Sequence, residues 1–391
     1  MDPDKLNIWV CTAWHPSKKQ PVNGTFVQEQ VEIIHEYLGD RVQLTVLNPL
    51  MPLDLKAMLL QGRKPFYDEW SYPGRDVKVY QYQGKLFWHR FPFDIHLSNR
   101  FYLRRMLRKM LPERGKPDRF WAVTLSGAFV AHAINKIMRW KVPVMLQEHS
   151  NPLRMHLRFA WQRRLWPQLS QIYQHIVVVA ERQVAEFRDH GYNGIITVIP
   201  NPVNPAFVPT ACKAIQKKLV LVSIGYLDAP KDPHKQIEAA RLLKKAGIPF
   251  EWHWIGDGSL RPACEGLIEK YALHEHFFFQ GKLQRAEVLE ELLKSNLFVL
   301  SSTYENCPVA LIEAQCVGLP CIVHINGASE KILLSRNGLA IDMDEEGYRL
   351  KAAILEMAGK AWDPEAIKAR SLEVFHPAVF AERMGELLLQ E

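Results

Sequence analysis

The feature that most constrains the fold of this chain is the alternation running through its second half. KLVLVSIGYL, beginning at Lys218, is short, apolar and rich in β-branched residues. PHKQIEAARLLKKAG, from Pro233, then has helical periodicity and stops at Gly247. PFEWHWIGDGS reads as a strand ending in a glycine turn, LRPACEGLIEKYAL as a helix, HFFFQGKL as a strand, QRAEVLEELLKS as a helix and LFVLSSTYE as a buried strand. A helix from Pro308 and a strand at PCIVHI continue the series. Strands separated by helices of about 10–15 residues need crossover connections, which make the sheet parallel and cover both of its faces.

The first half follows the same logic, with strands expected at NIWVCTA, VQLTVLNP, FWAVTLS, VPVMLQEHS and HIVVVAE. VIPNPVNPAFVP reads as a connector, because Pro200, Pro202 and Pro205 favour extended chain. With 391 residues the chain exceeds one comfortable core. The expected architecture is α/β, two doubly wound Rossmann-like domains with a ligand cleft between them. Their expected bounds are 1–205 and 206–374, with a closing helix at 375–391 packing back on the first domain.

Composition narrows the class. Apolar residues make up 48% and no low-complexity tract interrupts them, as in a globular protein. The six cysteines form neither a CxxC pair nor a cluster with histidine, which fits small hydrophobes in a reducing cytoplasm. No run of about 18 apolar residues is long enough to span a bilayer, and the acidic opening MDPDKLNIWVCTAWHP has too short an apolar run for a signal peptide. Residues 1–205 hold 28 Lys and Arg against 17 Asp and Glu, whereas residues 206–391 hold 21 against 25. The basic excess of the first half points to an anionic partner. It concentrates at residues 100–109, with Arg100, Arg104, Arg105, Arg108 and Lys109, and at residues 154–164, both interleaved with apolar side chains. No nucleic-acid motif accompanies it, so an anionic membrane surface is expected instead.

The stretch SSTYENCPVALIEAQCVGLPCIV carries the chemistry. Pro308 suits the first turn of a helix with Asn306 as its cap, and Gly318 and Pro320 end it. The backbone N–H groups of Cys307, Val309 and Ala310 then lie at a helix N-terminus, which attracts anionic ligands. Glu305 stands just ahead of that helix, and Glu313, inside it, leans back toward the same end. Two carboxylates around such an end suit a ligand with hydroxyls at both ends and phosphates between, such as a nucleotide-sugar. The Asp-x-Asp at Asp342 and Asp344 lies in a solvated acidic stretch and is read as ordinary surface.

The spacing of Glu305 and Glu313, with GLPCIV and NGASEKI…NGLAI after it, resembles glycosyltransferase family 4. So do SIGYLDAPKDPHKQIEAA, WIGDGSLR and FFFQGKL and, in the first half, HPSKKQPVNGTFVQEQ, VPVMLQEHS and VIPNPVN. The resemblance implies the GT-B fold and a retaining, metal-independent hexosyltransferase that uses a nucleotide-diphosphate sugar and no cofactor. It assigns Glu305 to the donor sugar, Glu313 to the ribose, and the backbone of Asn306, Cys307, Pro308, Val309, Ala310 and Leu311 to sugar or phosphate. Lys231 falls at the family's phosphate-binding lysine. Tyr226 stands where the partner arginine belongs, so Lys235 or another cation would have to supply the missing charge. KDPHK also lacks the glycine that usually follows the lysine. Gly24 opens the first helix toward the diphosphate, Gly281 and Lys282 meet the nucleobase, and His149 lies near the reacting sugar and acceptor. The implied acceptor is a glycan or lipid-linked glycan of a cell-surface polysaccharide or lipopolysaccharide. The implied location is cytoplasmic and peripheral, on the inner face of the membrane. A nucleotide-sugar epimerase on the same fold and a non-catalytic nucleotide-sugar-binding module are the alternatives, the latter prompted by Tyr226.

Overall fold

The computed structural model describes residues 4–13, 15, 16, 24–49, 66–83, 92–149, 163, 166, 167, 170–209 and 218–390, the side chains of Phe66 and of residues 92–100 excepted. It divides into two compact units, residues 1–199 with 381–391, and residues 200–380. The six residues of the proline connector that precede Ala206 thus group with the second unit. Val203 donates its N–H to the Phe375 carbonyl at 2.8 Å there.

The first unit is built on β1 (Leu6–Cys11), β2 (Val42–Pro49), β3 (Phe66–Ser71), β4 (Lys78–Gln83), β5 (Arg119–Val123), β6 (Val144–Glu148), β7 (Tyr173–Val178) and β8 (Ile195–Val198). Their order among the described residues is β3-β4-β2-β1-β5-β6-β7-β8. All neighbours are parallel except β3 and β4. β1, β2, β5 and β6 are nearly all buried, so they read as continuous apolar runs. The β3–β4 pair and β8 escape the sequence pattern. FYDEWS and KVYQYQ carry Asp68, Glu69, Lys78 and Gln81 where the inner strands are apolar, and IITV is a four-residue edge strand with Ile195 62% exposed.

The helices of this unit are α1 (Thr25–Leu38), α2 (Pro92–Arg114), α3 (Thr124–Met138) and α4 (Glu181–Asp189). FWAVTLS is not all strand: α3 begins at Thr124, whose φ of 63° turns the chain sharply after β5. The Leu125 N–H donates to the buried Glu148 carboxylate at 2.8 Å, which ties this turn to the end of β6. On α2, the apolar residues interleaved among the basic ones are not a surface stripe. Leu103, Met106, Leu107 and Met110 are buried in the core with Trp9, Phe120 and Tyr80. Arg104, Arg105, Arg108 and Lys109 are exposed, and so is Phe101, at 54%. Of residues 154–164, all but Arg163 lie outside the described residues; Arg163 is exposed.

The second unit contains β9 (Leu219–Ile224), β10 (Phe250–Ile255), β11 (Phe277–Gly281), β12 (Leu297–Leu300), β13 (Cys321–His324) and β14 (Gly338–Ile341), all parallel, in the order β11-β10-β9-β12-β13-β14. Between and after them run α5 (Pro233–Lys245), α6 (Arg261–Lys270), α7 (Arg285–Lys294), α8 (Val309–Cys316), α9 (Ser329–Ile332), α10 (Tyr348–Ala358) and α11 (Pro364–Phe375). Trp252 and Trp254 lie in its core with Leu221, Phe277 and Leu297. The closing helix, α12 (Pro377–Leu388), ends in the residues grouped with the first unit. There the Arg119 guanidinium donates to the Leu387 carbonyl at 2.6 Å and to that of Gln390.

Each sheet reverses its strand order once, between β1 and β5 and between β9 and β12. Close packing marks the first of these points. A Cβ on Gly127, in the first turn of α3, would stand 2.0 Å from the Cys11 carbonyl oxygen at the end of β1. Gly127→Ala should therefore destabilise the protein by about 1–3 kcal/mol, read as a lower urea midpoint with an unchanged slope. A wild-type midpoint would show that α3 yields without cost.

Candidate functional site

The second unit places the loops after β9 and β12 side by side, because these strands are neighbours whose connections leave in opposite directions. Gly225 follows β9, and the Lys231 side chain lies across it, its Cδ 3.2 Å from where a Cβ would be. Lys231 ends a 3₁₀ turn at Ala229–Lys231, and Asp232 follows in the left-handed region at φ 46°. The glycine that the resemblance leads one to expect after the lysine is thus replaced by an aspartate in a conformation that glycine adopts more easily.

From the other loop, Glu305 reaches back. Its carboxylate accepts from the Lys231 ammonium at 2.5 Å, with both side chains largely covered. Behind it stands α8. Its N-cap residue is Pro308, in extended conformation at ψ 105°, with no side-chain cap hydrogen bond. The sequence expectation put Pro308 in the first turn and Asn306 at the cap. Instead the cap falls two residues later, at Pro308, and the Asn306 amide oxygen accepts from the Tyr304 hydroxyl at 3.4 Å. Cys307 is held to the connector, its carbonyl accepting from the Asn201 side chain at 3.3 Å. Burial pushes its thiol up to about 12, so it is no nucleophile at neutral pH. Val309, Ala310 and Leu311 form the first turn of α8.

Glu313 lies one turn further along and is 7% exposed. Burial pushes its pKa up to about 7, while Arg285, 3.8 Å away at the start of α7, pulls it down. Arg285 was not legible as a site residue, because no motif surrounds it. Lys235, expected to supply the charge that Tyr226 lacks, is buried and paired with two carboxylates. Burial works against its charge, but bonds to Asp232 at 2.9 Å and Glu345 at 3.1 Å more than offset this, holding its pKa above the usual lysine range. Tyr226 itself is 59% exposed.

Glycines let the neighbouring loops approach. Gly256, at φ 129°, lies where a Cβ would meet the Gly225 carbonyl oxygen at 2.0 Å, and a Cβ on Gly258 would meet that of Leu227 at 2.4 Å. The GDG turn after β10 therefore packs directly on the loop that leads to Lys231. Gly281 ends β11 at φ 69° and accepts from the Gly256 N–H at 2.7 Å; Lys282 beside it is exposed.

In the first unit, Gly24 is the N-cap of α1 at φ 69°, again without a side-chain cap. His149 follows β6, and its ring packs on Phe26 in the first turn of α1, 4.9 Å between centroids. Both lie at the carboxyl ends of their sheet. Elsewhere, Asp342 pairs with Arg349 at 2.8 Å, and Asp344 accepts the backbone N–H groups of Tyr348 and Arg349 at the start of α10. Among the described residues no group of three or more His, Cys, Asp or Glu side chains is arranged to hold a metal ion.

This is the GT-B arrangement, two parallel-sheet units of Rossmann type, and solved structures share it. Sucrose-phosphate synthase from Thermosynechococcus elongatus matches 99% of the chain and 99% of its own length at a TM-score of 0.72, with 14% identity. Sequence profiles of two families match, Glycosyltransferase Family 4 over residues 52–207 and Glycosyl transferases group 1 over residues 211–357. The chain belongs to the family of glycosyltransferases that these two profiles describe. WcaL of Escherichia coli K12, named for a glycosyltransferase of colanic acid biosynthesis, is 32% identical over 139 residues, 34% of each chain. The UDP-Gal:alpha-D-GlcNAc-diphosphoundecaprenol alpha-1,3-galactosyltransferase of Escherichia coli is 30% identical over 167 residues, 38% of this chain and 42% of that one. These matches span about a third to two-fifths of the curated relatives' length.

The raised pKa of Glu313 has a consequence for stability. From pH 4.5 to about 7 the folded protein keeps a proton that the unfolded chain has released. Stability therefore falls as pH rises through this window, by about 3 kcal/mol. Glu313→Gln removes that loss. Thermal melts should show the variant more stable than the parent at pH 8 and equal to it near pH 4.5. An equal difference at both would contradict the shift.

Proposed function

We propose that the protein transfers a sugar from a nucleotide-diphosphate donor to a glycan or lipid-linked acceptor, with retention at the anomeric carbon and without a metal. The observation that carries this is the pairing of Lys231 with Glu305 across the ends of β9 and β12, in front of the uncapped start of α8. Parallel α/β sheets bind ligands outside their carboxyl ends where the strand order reverses. At that point this unit offers one cation, one carboxylate beside it, and a helix N-terminus.

A diphosphate would take Lys231 from Glu305 and meet the first N–H groups of α8, freeing the Glu305 carboxylate for the sugar hydroxyls. Glu313 would accept from the ribose, with the backbone at Gly281 and Lys282 against the base. As the bond from the anomeric carbon to the leaving phosphate oxygen lengthens, negative charge gathers on that oxygen. Once paired with the diphosphate, Lys231 and the helix start would stabilise that charge. The acceptor oxygen bonds to the anomeric carbon on the face the phosphate leaves, and its proton passes to the departing phosphate. Gly24 and His149 keep their assignments to donor and acceptor as proposals on the first unit's own carboxyl edge. The relative named for UDP-Gal and a diphosphoundecaprenol-linked sugar makes UDP-hexoses and polyprenyl-diphosphate-linked acceptors the first to try.

Lys231→Ala should lower turnover about 10²–10³-fold, with a smaller change in KM and no effect of EDTA on either protein. If Lys235→Ala shows this loss and Lys231→Ala does not, the phosphate-binding assignment is wrong.

Membrane association is also proposed, on a changed basis. Since the apolar residues of α2 are core, attraction rests on exposed Arg104, Arg105, Arg108 and Lys109, with Phe101 the one large apolar side chain exposed beside them among the described residues. Each basic residue near an anionic surface contributes about 1 kcal/mol, screened over roughly 8 Å at physiological salt. Liposome co-sedimentation should detect binding to vesicles with anionic lipid at low salt, its loss at high salt, and its loss on changing Arg104, Arg105 and Arg108 to Glu. Equal binding to neutral vesicles would sink the electrostatic account.

A further inference from the structure

Beneath the turn that carries Lys231 runs a chain of buried polar groups with one permitted direction. The Trp252 indole N–H donates to the Ser223 hydroxyl at 3.0 Å, and that hydroxyl donates to the Gln236 amide oxygen at 2.6 Å. The Gln236 NH₂ donates to the Ser301 hydroxyl at 2.8 Å. Ser301 in turn shares its hydrogen between the backbone carbonyls of Lys231 and Asp232, both at 2.8 Å. All four side chains are at most 1% exposed.

An indole N–H can only donate and a carbonyl can only accept, so both ends of the chain are fixed. Every hydroxyl and amide between them then has a single satisfied orientation. Reversing any link would leave a buried donor or acceptor unpaired, which is costly in a low-dielectric interior. The far end of this relay grips a turn that has a reason to move, because Asp232 sits at φ 46° without being glycine. The Thr303 N–H adds a bond to the Pro230 carbonyl at 2.9 Å, so the segment after β12 holds the turn at two successive places.

We propose that Ser301 and Gln236 are positioning residues for Lys231. They hold the carbonyls of Lys231 and Asp232 so that the ammonium stands where the leaving diphosphate's charge develops. This rests on the donor role proposed for Lys231 and adds the device that sets its place. Neither residue touches the donor. Their influence passes through the backbone of the turn, and it falls on the step in which Lys231 acts rather than on ground-state binding.

The test is a double-mutant cycle on the full chain, with hydrolysis of UDP-glucose, UDP-galactose, UDP-N-acetylglucosamine and GDP-mannose as the probe reactions. On the probe that turns over, Ser301→Ala should lower kcat about tenfold and leave KM within about twofold. In a Lys231→Ala background the same change should cost nothing further, because there is no ammonium left to place. Gln236→Met, which cuts the relay one link earlier, should behave alike and serves if Ser301→Ala does not fold. Independent, multiplicative losses of kcat in the double variant overturn the positioning role alone, as does wild-type kcat in both folded single variants. Unchanged turnover in Lys231→Ala, or no hydrolysis of any probe, overturns the donor assignment and the positioning role with it.

Discussion

In the second unit everything at the candidate site follows from the reversal of strand order between β9 and β12. Connections from β9 leave toward β10 and β11, and those from β12 leave toward β13 and β14. No crossover helix covers the gap, so the two loops face each other. Lys231 and Glu305 are 74 positions apart in the chain and yet in contact at 2.5 Å. The close glycines at 225, 256 and 258 belong to the same constraint, since loops on adjacent parallel strands crowd where they leave the sheet.

The site is assembled from groups that satisfy one another without ligand and can exchange partners. Lys231 is held by Glu305, Glu313 is near Arg285, and the start of α8 has no side-chain cap. On the proposed function, a donor with a diphosphate between two hydroxyl-bearing groups would replace these contacts. Lys235 shows the contrast, because its two carboxylate partners and its burial make it part of the frame. Burying Glu313 costs stability above about pH 5 and leaves a carboxyl that titrates near neutrality. Functional sites commonly accept such a cost.

Much of the frame was legible. The strand–helix alternation located every strand from β9 to β13, and the paired glutamates drew attention to the segment that became α8. The resemblance singled out Lys231 and explained why Tyr226 is a departure. Less legible were β3 and β4, whose polar residues interrupt the apolar runs seen in the inner strands. The start of α8 was also missed by two residues, because Asn306 is the better cap by residue type and yet the cap is Pro308. The basic helix α2 was misjudged in kind. Its apolar residues matched an interfacial helix in sequence, and only packing shows that Leu103, Met106, Leu107 and Met110 belong to the core while Phe101 stays exposed.

The sequence by itself determined the parallel α/β class, helix ends such as the stop at Gly247, and which acids and lysines stood in loops after strands. These are local properties, set by the periodicity of burial and by the conformations that proline and glycine allow. Tertiary structure alone decided which loops meet. It paired Lys231 with Glu305 and Glu313 with Arg285, committed Lys235 to the frame, and set the relay from Trp252 to the turn at Asp232. Alternating strands and helices fit several strand orders equally well. Which carboxyl ends become neighbours therefore depends on how the whole sheet is wound.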